Sequence, residues 1–355
     1  MSETHTVTLE PIGVEFEVED GETILDAAFR QGISLPHGCK EGQCSACKCN
    51  LVEGEIDLLK YSTFALSDPE REAGGILLCR SLALEDLTIE LLNFDEELLS
   101  KSIAVKDFQG KITGKENLTH DILAVEIKIE TPIKFWAGQY VDITVTTQEG
   151  ETITRSFSMA NTPDQTQNLR FIIKKYPDGR FSNALDSGAI EIGAEVKVKG
   201  PFGSCFRREE KTGPIILVAA GSGMSPIWSI LHDHIASGED RKVYFFYGAR
   251  TKNDLFYLDK INAITAANPS INFVPVLSHA QDDASWTGAQ GFVHQVVQSE
   301  LRRLGVETDA CAYACGPPPM IEALQPVLMM QDIDPDRTHF DKFTPSTAQV
   351  PVAAH

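Results

Sequence analysis

Cys39-Lys40-Glu41-Gly42-Gln43-Cys44-Ser45-Ala46-Cys47 sets three thiols at the spacing C-x4-C-x2-C, and a fourth, Cys79, follows after 31 intervening residues. A loop can wrap several sulfurs around a small inorganic centre only if its backbone approaches closely. Gly38 and Gly42 suit that approach, as do the small Ser45 and Ala46, whereas bulky side chains would block it. Cys39, Cys44, Cys47 and Cys79 therefore read as the ligands of one metal site. The plainer alternatives are four buried free cysteines or a zinc site. Cys49 falls outside the spacing, and it reads with Cys205 and Cys311 as an ordinary packed cysteine, the commoner fate of a lone thiol.

The rest of the chain gives this loop its setting. With 355 residues, 42% of them hydrophobic, two or three domains are expected. Eight cysteines in such a length are not a disulfide framework, and four crowded between Cys39 and Cys49 point to a metal in a reducing compartment. No run of 18 apolar residues occurs, and Met1 to Glu10 lacks the basic patch and apolar stretch of a signal peptide, so a cytoplasmic protein with no membrane span is expected. The net charge of -20 is unevenly spread: Met1 to Ser100 holds 21 acidic against 6 basic residues, a net -15. Such a field repels nucleic acid and anionic membrane and favours a partner with a basic face. Solubility alone is the plainer account of the same charge.

Thr6 to Val18 alternates apolar and polar residues on both sides of Pro11-Ile12-Gly13, which predicts a β-hairpin, and Thr23 to Arg30 predicts a short helix closed by Gly32. Leu87 to Leu92 reads as a strand, and the acidic stretch Asn93 to Ser100 as a linker. From Ala104 to about Phe206 the chain is strand-rich, with Ala124 to Ile129, Tyr140 to Thr146 and Leu169 to Lys174 set apart by turn signals, as in a small antiparallel barrel. Pro214 to Ala220 is then an apolar strand leading into a glycine turn and a helix at Ile227 to His232. Strand signals recur at Val243 to Tyr247, Asn272 to Leu277 and Ala312 to Ala314, an alternation that argues a parallel sheet. The expected class is thus multidomain: an α+β domain over 1–100, an antiparallel barrel over 101–208, an α/β domain over 209–343 and a tail over 344–355.

Arg155-Ser156-Phe157-Ser158 in the barrel region offers a cation for a phosphate, an aromatic face for a ring, and hydroxyls for its polar edges. Gly179-Arg180-Phe181-Ser182 opens a helix whose free N–H groups suit a pyrophosphate. Taken singly, each is also what an ordinary turn or helix cap looks like. Gly221-Ser222-Gly223-Met224-Ser225-Pro226 follows the apolar strand, the right context for a dinucleotide-phosphate turn. It lacks a third glycine, and Pro226 stands where a helix's first turn tolerates proline. Cys315-Gly316-Pro317-Pro318-Pro319-Met320 sets a thiol and a rigid loop at the end of a later strand.

The cysteine loop has the spacing of plant-type ferredoxins. In the order cysteine loop, R-S-F-S, G-x-G-x-x-P and C-G-P-P-P-M, the chain resembles the ferredoxin-NADP reductase superfamily over about Val7 to Phe343, and most of all the reductase components of soluble di-iron monooxygenases. The resemblance implies a two-iron two-sulfur (2Fe-2S) cluster on Cys39, Cys44, Cys47 and Cys79 in a β-grasp-like domain. It implies FAD on Arg155, Ser156, Phe157, Ser158, Gly179 and Ser182, because the ferredoxin part is N-terminal. It implies NADH on Gly221, Gly223, Pro226 and Gly316, with Cys315 beside the nicotinamide. His339 to Phe343 resembles the family's closing strand. By that match Asp341 stands near the transferred hydride and Phe343 near the flavin face, with Ser158 at the flavin's reactive edge; the plainer role for Phe343 is core packing. Arg250, after the strand at Val243 to Tyr247, is placed to meet a ribose 2'-phosphate, yet the resemblance favours NADH. The implied protein is a monomeric oxidoreductase whose acidic domain docks a di-iron hydroxylase. A Rieske-type dioxygenase reductase has the same layout, and an iron-sulfur redox sensor is the reading from another class.

Overall fold

The computed structural model describes residues 4–38, 40–43, 45–92, 94, 96–282, 285–306 and 308–343. Cys39, Cys44 and the tail over 344–355 lie outside the described residues. The chain divides into two compact units, Met1–Asp107 with Gly200–Ser204, and Phe108–Lys199 with Cys205–His355.

In the first unit, β1 (Thr4–Glu10) and β2 (Val14–Glu19) form the expected hairpin, turning at Gly13 with φ +64°. Val7, Leu9, Phe16 and Val18 face the core at every second position. Helix α1 (Ile24–Arg30) is capped by the Thr23 hydroxyl, which accepts from the Asp26 amide, and Ile24, Leu25 and Ala28 are buried with the hairpin's apolar face. Then come β3 (Lys48–Glu53), β4 (Ile56–Leu58), α2 (Asp68–Glu72), β5 (Gly75–Leu77), β6 (Ser81–Ala83), β7 (Leu87–Glu90) and α3 (Glu96–Ser100). The main sheet runs β2-β1-β7-β3-β5, while β4 pairs with β6 alone. Strands this short carry little alternation, and β3 to β6 had no sequence signal. The stretch read as a linker contains α3, because Leu98 is buried there to 4% exposure.

The second unit opens with β8 (Lys106–Asn117), β9 (Ile122–Ile129), β10 (Tyr140–Thr146), β11 (Thr152–Ser158), β12 (Asn168–Lys174), α4 (Arg180–Ser187) and β13 (Glu195–Phe202). The order is β11-β10-β13-β8-β9-β12, and the antiparallel bridge Met159–Phe171 brings the two end strands together. Inside lie Ile127, Val141, Ile143, Phe171 and Val198.

A parallel sheet follows: β14 (Ile215–Ala220), α5 (Met224–Ser237), β15 (Val243–Ala249), α6 (Leu258–Ala267), β16 (Ile271–Leu277), β17 (Ala289–Gln290), α7 (Val293–Leu304), β18 (Cys311–Gly316), α8 (Pro318–Met329) and β19 (Thr338–Lys342). Its strands lie in the order β17-β16-β15-β14-β18-β19. Both faces are covered, with Leu217, Phe245 and Tyr313 on one side and Val218, Phe246 and Ala314 on the other. This two-sided burial is why these strands read as continuous apolar runs. The chain winds outward from β14 to β17 and then returns to β18 on the opposite side of β14. The carboxyl ends of β14 and β18 therefore flank a topological switch point, where open α/β sheets leave a crevice. Among the described residues no helix is long and apolar enough to cross a membrane.

Candidate functional site

Three places gather the residues singled out by sequence. The first is the cysteine loop. Cys47 immediately precedes β3 and Cys79 follows β5 by two residues; Lys48 pairs with Leu77, and the Leu78 amide donates to the Cys47 carbonyl at 3.1 Å. Strand pairing thus carries Cys79 back across 31 residues to leave the Cys47 and Cys79 sulfurs 3.3 Å apart, both buried. Gly42 adopts φ +69°, and a Cβ there would stand 2.8 Å from Arg80 Cγ and 2.9 Å from Tyr61 Cβ, so the close approach inferred for the loop is real at this residue. Two buried thiols side by side, on a loop pressed against its surroundings, fit a sulfur-ligated iron centre. Cys39 and Cys44, which complete the spacing, lie outside the described residues. Cys49 is buried on β3, and burial pushes its thiol up to about 12, as suits a packing residue.

The second place is β11. Phe157 packs against Phe181 of α4, ring centres 4.9 Å apart, and this joins the R-S-F-S strand to the first turn of the helix that opens at Gly179. Ser182 is buried in that turn, and a Cβ on Gly179 would meet its Oγ at 2.8 Å. Strand alternation puts Arg155 on the same face as Phe157; its guanidinium donates to the Thr154 carbonyl at 2.7 Å. Ser156 and Ser158 share the other face. Ser156 donates to Asp142 at 2.5 Å, whereas Ser158 is buried and donates to Asp341 at 3.4 Å.

The third place is the switch point. Gly221, at φ +54°, has nothing within 4 Å of where a Cβ would stand, which leaves an open backbone cradle above β14. A Cβ on Gly223 would stand 2.0 Å from the Cys315 carbonyl oxygen, so the turn rests directly on the end of β18. Pro226 is buried in the first turn of α5, which begins at Met224, three residues earlier than the sequence reading. On β19 Asp341 pairs in register with Cys315, and the Phe343 amide donates to the Gly316 carbonyl at 2.9 Å. Asp341 is partly buried as a residue, but enclosure of its carboxyl pushes it up to about 6, against the opposing effect of the Ser158 hydrogen bond. Cys315 is fully buried, and burial, then Cys205, then the Asp341 charge hold its thiol far above the usual range, so it stays protonated.

Sequence reasoning missed the residues that join the second and third places. Ser225 Oγ donates to the Ser158 carbonyl at 2.6 Å and accepts from the Ile172 amide at 3.2 Å. Ser229 Oγ donates to the Asn161 carbonyl at 2.7 Å. Both serines are buried on α5, so the glycine turn and the R-S-F-S strand form one continuous structure. Cys205, read as a lone packed thiol, lies 3.7 Å from the Cys315 sulfur. Arg250 is held by Asp121 at 3.3 Å and Asp254 at 3.6 Å, beside a cavity of about 500 Å³ also lined by Lys174, Tyr176 and Asn183. Burial would raise the Asp121 carboxyl, but Lys174, Thr119 and His120 together hold it below the usual value. None of these links has a short-range signature in the sequence.

A thiol-lined loop, a strand-plus-helix cradle and a switch-point turn, in that order, make an iron-sulfur flavoprotein that takes a nicotinamide. The protein-family models match accordingly: the 2Fe-2S iron-sulfur cluster binding domain over residues 7–84, the oxidoreductase FAD-binding domain over 109–206, and the oxidoreductase NAD-binding domain over 217–326. The chain is 41% identical to the reductase component of propane 2-monooxygenase from Mycolicibacterium goodii, over 97% of this chain and 98% of that protein. It is 37% identical to the reductase component of phenol 2-monooxygenase from Pseudomonas sp. (strain CF600), covering 92% and 90%. Among solved structures, the Amycolatopsis cytochrome P450 reductase superposes with a TM-score of 0.84 at 27% identity, covering 97% and 100%. The ferredoxin reductase in carbazole 1,9a-dioxygenase gives 0.76 at 28%, covering 97% and 99%. The chain belongs to the family of the reductase components of multicomponent monooxygenases.

Proposed function

We propose that this protein carries electrons from NADH, through FAD and a 2Fe-2S cluster, to the hydroxylase of a di-iron monooxygenase. The observation that carries the reading is the meeting of Ser158, Asp341 and Cys315, where the R-S-F-S strand and the carboxyl end of β18 converge. A flavin along β11 and a nicotinamide over the β14–β18 crevice would present their reactive ends to one another there. Bound FAD supplies the conversion of a two-electron hydride donor into single electrons for a one-electron cluster.

In this reading Arg155, Ser182 and the first-turn amides after Gly179 hold the flavin phosphates, and Phe157 lines the cofactor. The Ser156 hydroxyl already serves Asp142, so Ser156 braces the strand. Ser158 is the hydrogen-bonding group at the flavin's reactive edge, and Asp341 behind it holds or releases a proton near neutral pH. Gly221, Gly223 and Pro226 shape the dinucleotide turn, and Gly316 leaves room beside it. Neutral Cys315 contributes bulk and a weak S–H donor rather than a nucleophile. Phe343, next to Asp341, covers the flavin face. NADH is preferred to NADPH because Asp121 and Asp254 occupy Arg250 and repel a 2'-phosphate. The domain limits are 1–100, 101–208 and 209–343, the middle domain being the flavin barrel and the last the nicotinamide sheet.

Identities of 41% and 37% to monooxygenase reductases, against 28% to the dioxygenase-associated reductase, favour the monooxygenase reading. A redox sensor would need no hydride acceptor. The protein acts in the cytoplasm, as a monomer. The test is anaerobic addition of NADH to the holoprotein, followed by reconstitution with a purified di-iron hydroxylase. Bleaching of flavin and cluster, then NADH-driven hydroxylation, is expected. A wild-type protein that is bleached by NADH yet supports only a Rieske oxygenase would overturn the partner assignment.

A further inference from the structure

We propose that Phe202 is a positioning residue for electron transfer: from the end of β13 its ring holds the shape of the cysteine loop, and so governs the passage from flavin to cluster. This rests on the reductase reading above. β13 (Glu195–Phe202) has β10 and β8 as its neighbours, yet Gly200–Ser204, which includes its last three residues, belongs to the first compact unit. Among the described residues after Asp107, no others do. Within that unit Phe202 is buried to 3% exposure, edge-on to Phe29 of α1 at 5.4 Å between ring centres and edge-on to His37 at 6.5 Å. Phe29 and His37 meet edge-on at 4.7 Å, and His37 Nδ1 donates to the Leu35 carbonyl at 2.7 Å, which fixes the imidazole. Over the remaining face of the Phe202 ring lies Lys40, its Nζ 3.5 Å from the ring centre.

A buried phenylalanine is ordinary packing. Phe202 differs in what it holds. Lys40 directly follows Cys39 in the chain, and its backbone lies at φ +58°, the left-handed region that a non-glycine residue enters only at a cost. Such a conformation persists where the surroundings impose it. The attraction of the ammonium for the face of the ring is one such hold, and it comes from β13 rather than from the loop's own neighbours in sequence. Each NADH gives up two electrons as one hydride, and they leave the flavin singly for a one-electron cluster, so the passage is made twice per NADH. A loop that is loose at Lys40 would leave that passage without a fixed geometry.

The test compares Phe202→Leu, Lys40→Met, the double variant and Lys40→Arg with wild type as full-length holoprotein. Anaerobic stopped-flow with NADH follows flavin and cluster bleaching separately, a redox titration gives the cluster potential, and trypsin cleavage after Lys40 reports the loop itself. In Phe202→Leu and Lys40→Met cluster bleaching slows about tenfold, while flavin bleaching and NADH–ferricyanide turnover stay within about twofold of wild type. Adding Phe202→Leu to Lys40→Met slows it no further, since the contact is already gone, and Lys40→Arg keeps the wild-type rate. In Phe202→Leu the cluster potential is unchanged and trypsin cuts after Lys40 faster. Wild-type cluster bleaching in Phe202→Leu overturns the proposal, as does additive slowing in the double variant. Slowing that follows a shifted cluster potential in Phe202→Leu also overturns it, because driving force would then be the cause. If Phe202→Leu does not fold, Lys40→Met, which removes no packed ring, decides: wild-type cluster bleaching there overturns the proposal. If NADH does not bleach the wild-type protein, the reductase reading falls and this proposal with it, whereas normal bleaching in wild type and in every variant overturns this proposal alone.

Discussion

Replacing Gly223 with alanine should separate the two halves of the proposed hydride-transfer site without touching a titratable group. The added methyl would stand 2.0 Å from the Cys315 carbonyl oxygen, 2.4 Å from its carbon and 2.8 Å from the Gly316 nitrogen, where real contacts under 3.0 Å essentially never occur. All three atoms are backbone, so no side chain can swing aside. The turn must retreat from β18 by roughly 1 Å, the difference between the closest approach and that limit. A misplacement of about 1 Å in a site that depends on alignment can cost about a hundredfold in rate, or about 2.7 kcal/mol. Overpacking adds roughly 1–3 kcal/mol of destabilisation. Steady-state NADH–ferricyanide kinetics should show kcat/KM for NADH falling about a hundredfold, with a lower unfolding midpoint. Gly221→Ala is the contrast: its methyl would meet no protein atom within 4 Å, so beside the strain of φ +54°, roughly 1–2 kcal/mol, it should weaken NADH binding at the proposed cradle without displacing β18. A Gly223→Ala protein with wild-type kinetics and wild-type stability would refute the reasoning, because the clash cannot be relieved without moving one of the two strands' ends.

Three further outcomes are expected. Cys79→Ser removes a thiolate from the buried Cys47–Cys79 pair; visible absorption should show the cluster lost while NADH–ferricyanide activity persists, and loss of both would deny that flavin and cluster are separate stations. Asp341 holds its proton up to about pH 6 in the folded protein, against 3.8 ordinarily, so the stability it lends is complete below about 3.8 and gone above about 6. Asp341→Asn should therefore melt higher than wild type at pH 8, with the gap closing by pH 4, and a gap of equal size at both would count against a buried charge. Asp121→Asn combined with Asp254→Asn frees Arg250; kcat/KM for NADPH relative to NADH should rise about tenfold, while no change would mean that Arg250 does not face the 2' position.

The legible parts of the fold were those where burial imposes a period or a turn imposes a residue. The hairpin around Gly13 alternates because one face is buried, and β14 to β18 read as apolar runs because both are. The three-domain composition was legible from motif order, and the family models match it domain by domain. Strands β4, β5 and β6, of three residues each, are too short for any period, and they exist because β3 gives β5 a partner and β4 and β6 pair with one another. Helix α3 was hidden by its charge, since a single buried leucine, Leu98, is all that turns an acidic stretch into packed structure.

What the sequence could not show about the site is how its motifs are coupled. G-S-G-M-S-P reads as a phosphate turn through its glycines, and Ser225 looks like filler between them and the helix. In the folded chain that hydroxyl satisfies two buried backbone groups of the antiparallel sheet, at Ser158 and Ile172, and Ser229 satisfies a third at Asn161. An unpaired buried backbone group costs about 1–3 kcal/mol, so these serines hold the glycine turn, the proposed nicotinamide site, against the proposed flavin strand with an energy that packing alone would not direct. All three bonds involve the first two turns of α5, the helix that begins at the glycine turn itself. A displacement of the turn is thus transmitted to Ser158, and through Ser158 to Asp341. If the glycine turn is the dinucleotide cradle proposed above, the same glycine and serines also set the distance over which hydride would pass, which is why a methyl at Gly223 should be felt in chemistry as well as in binding.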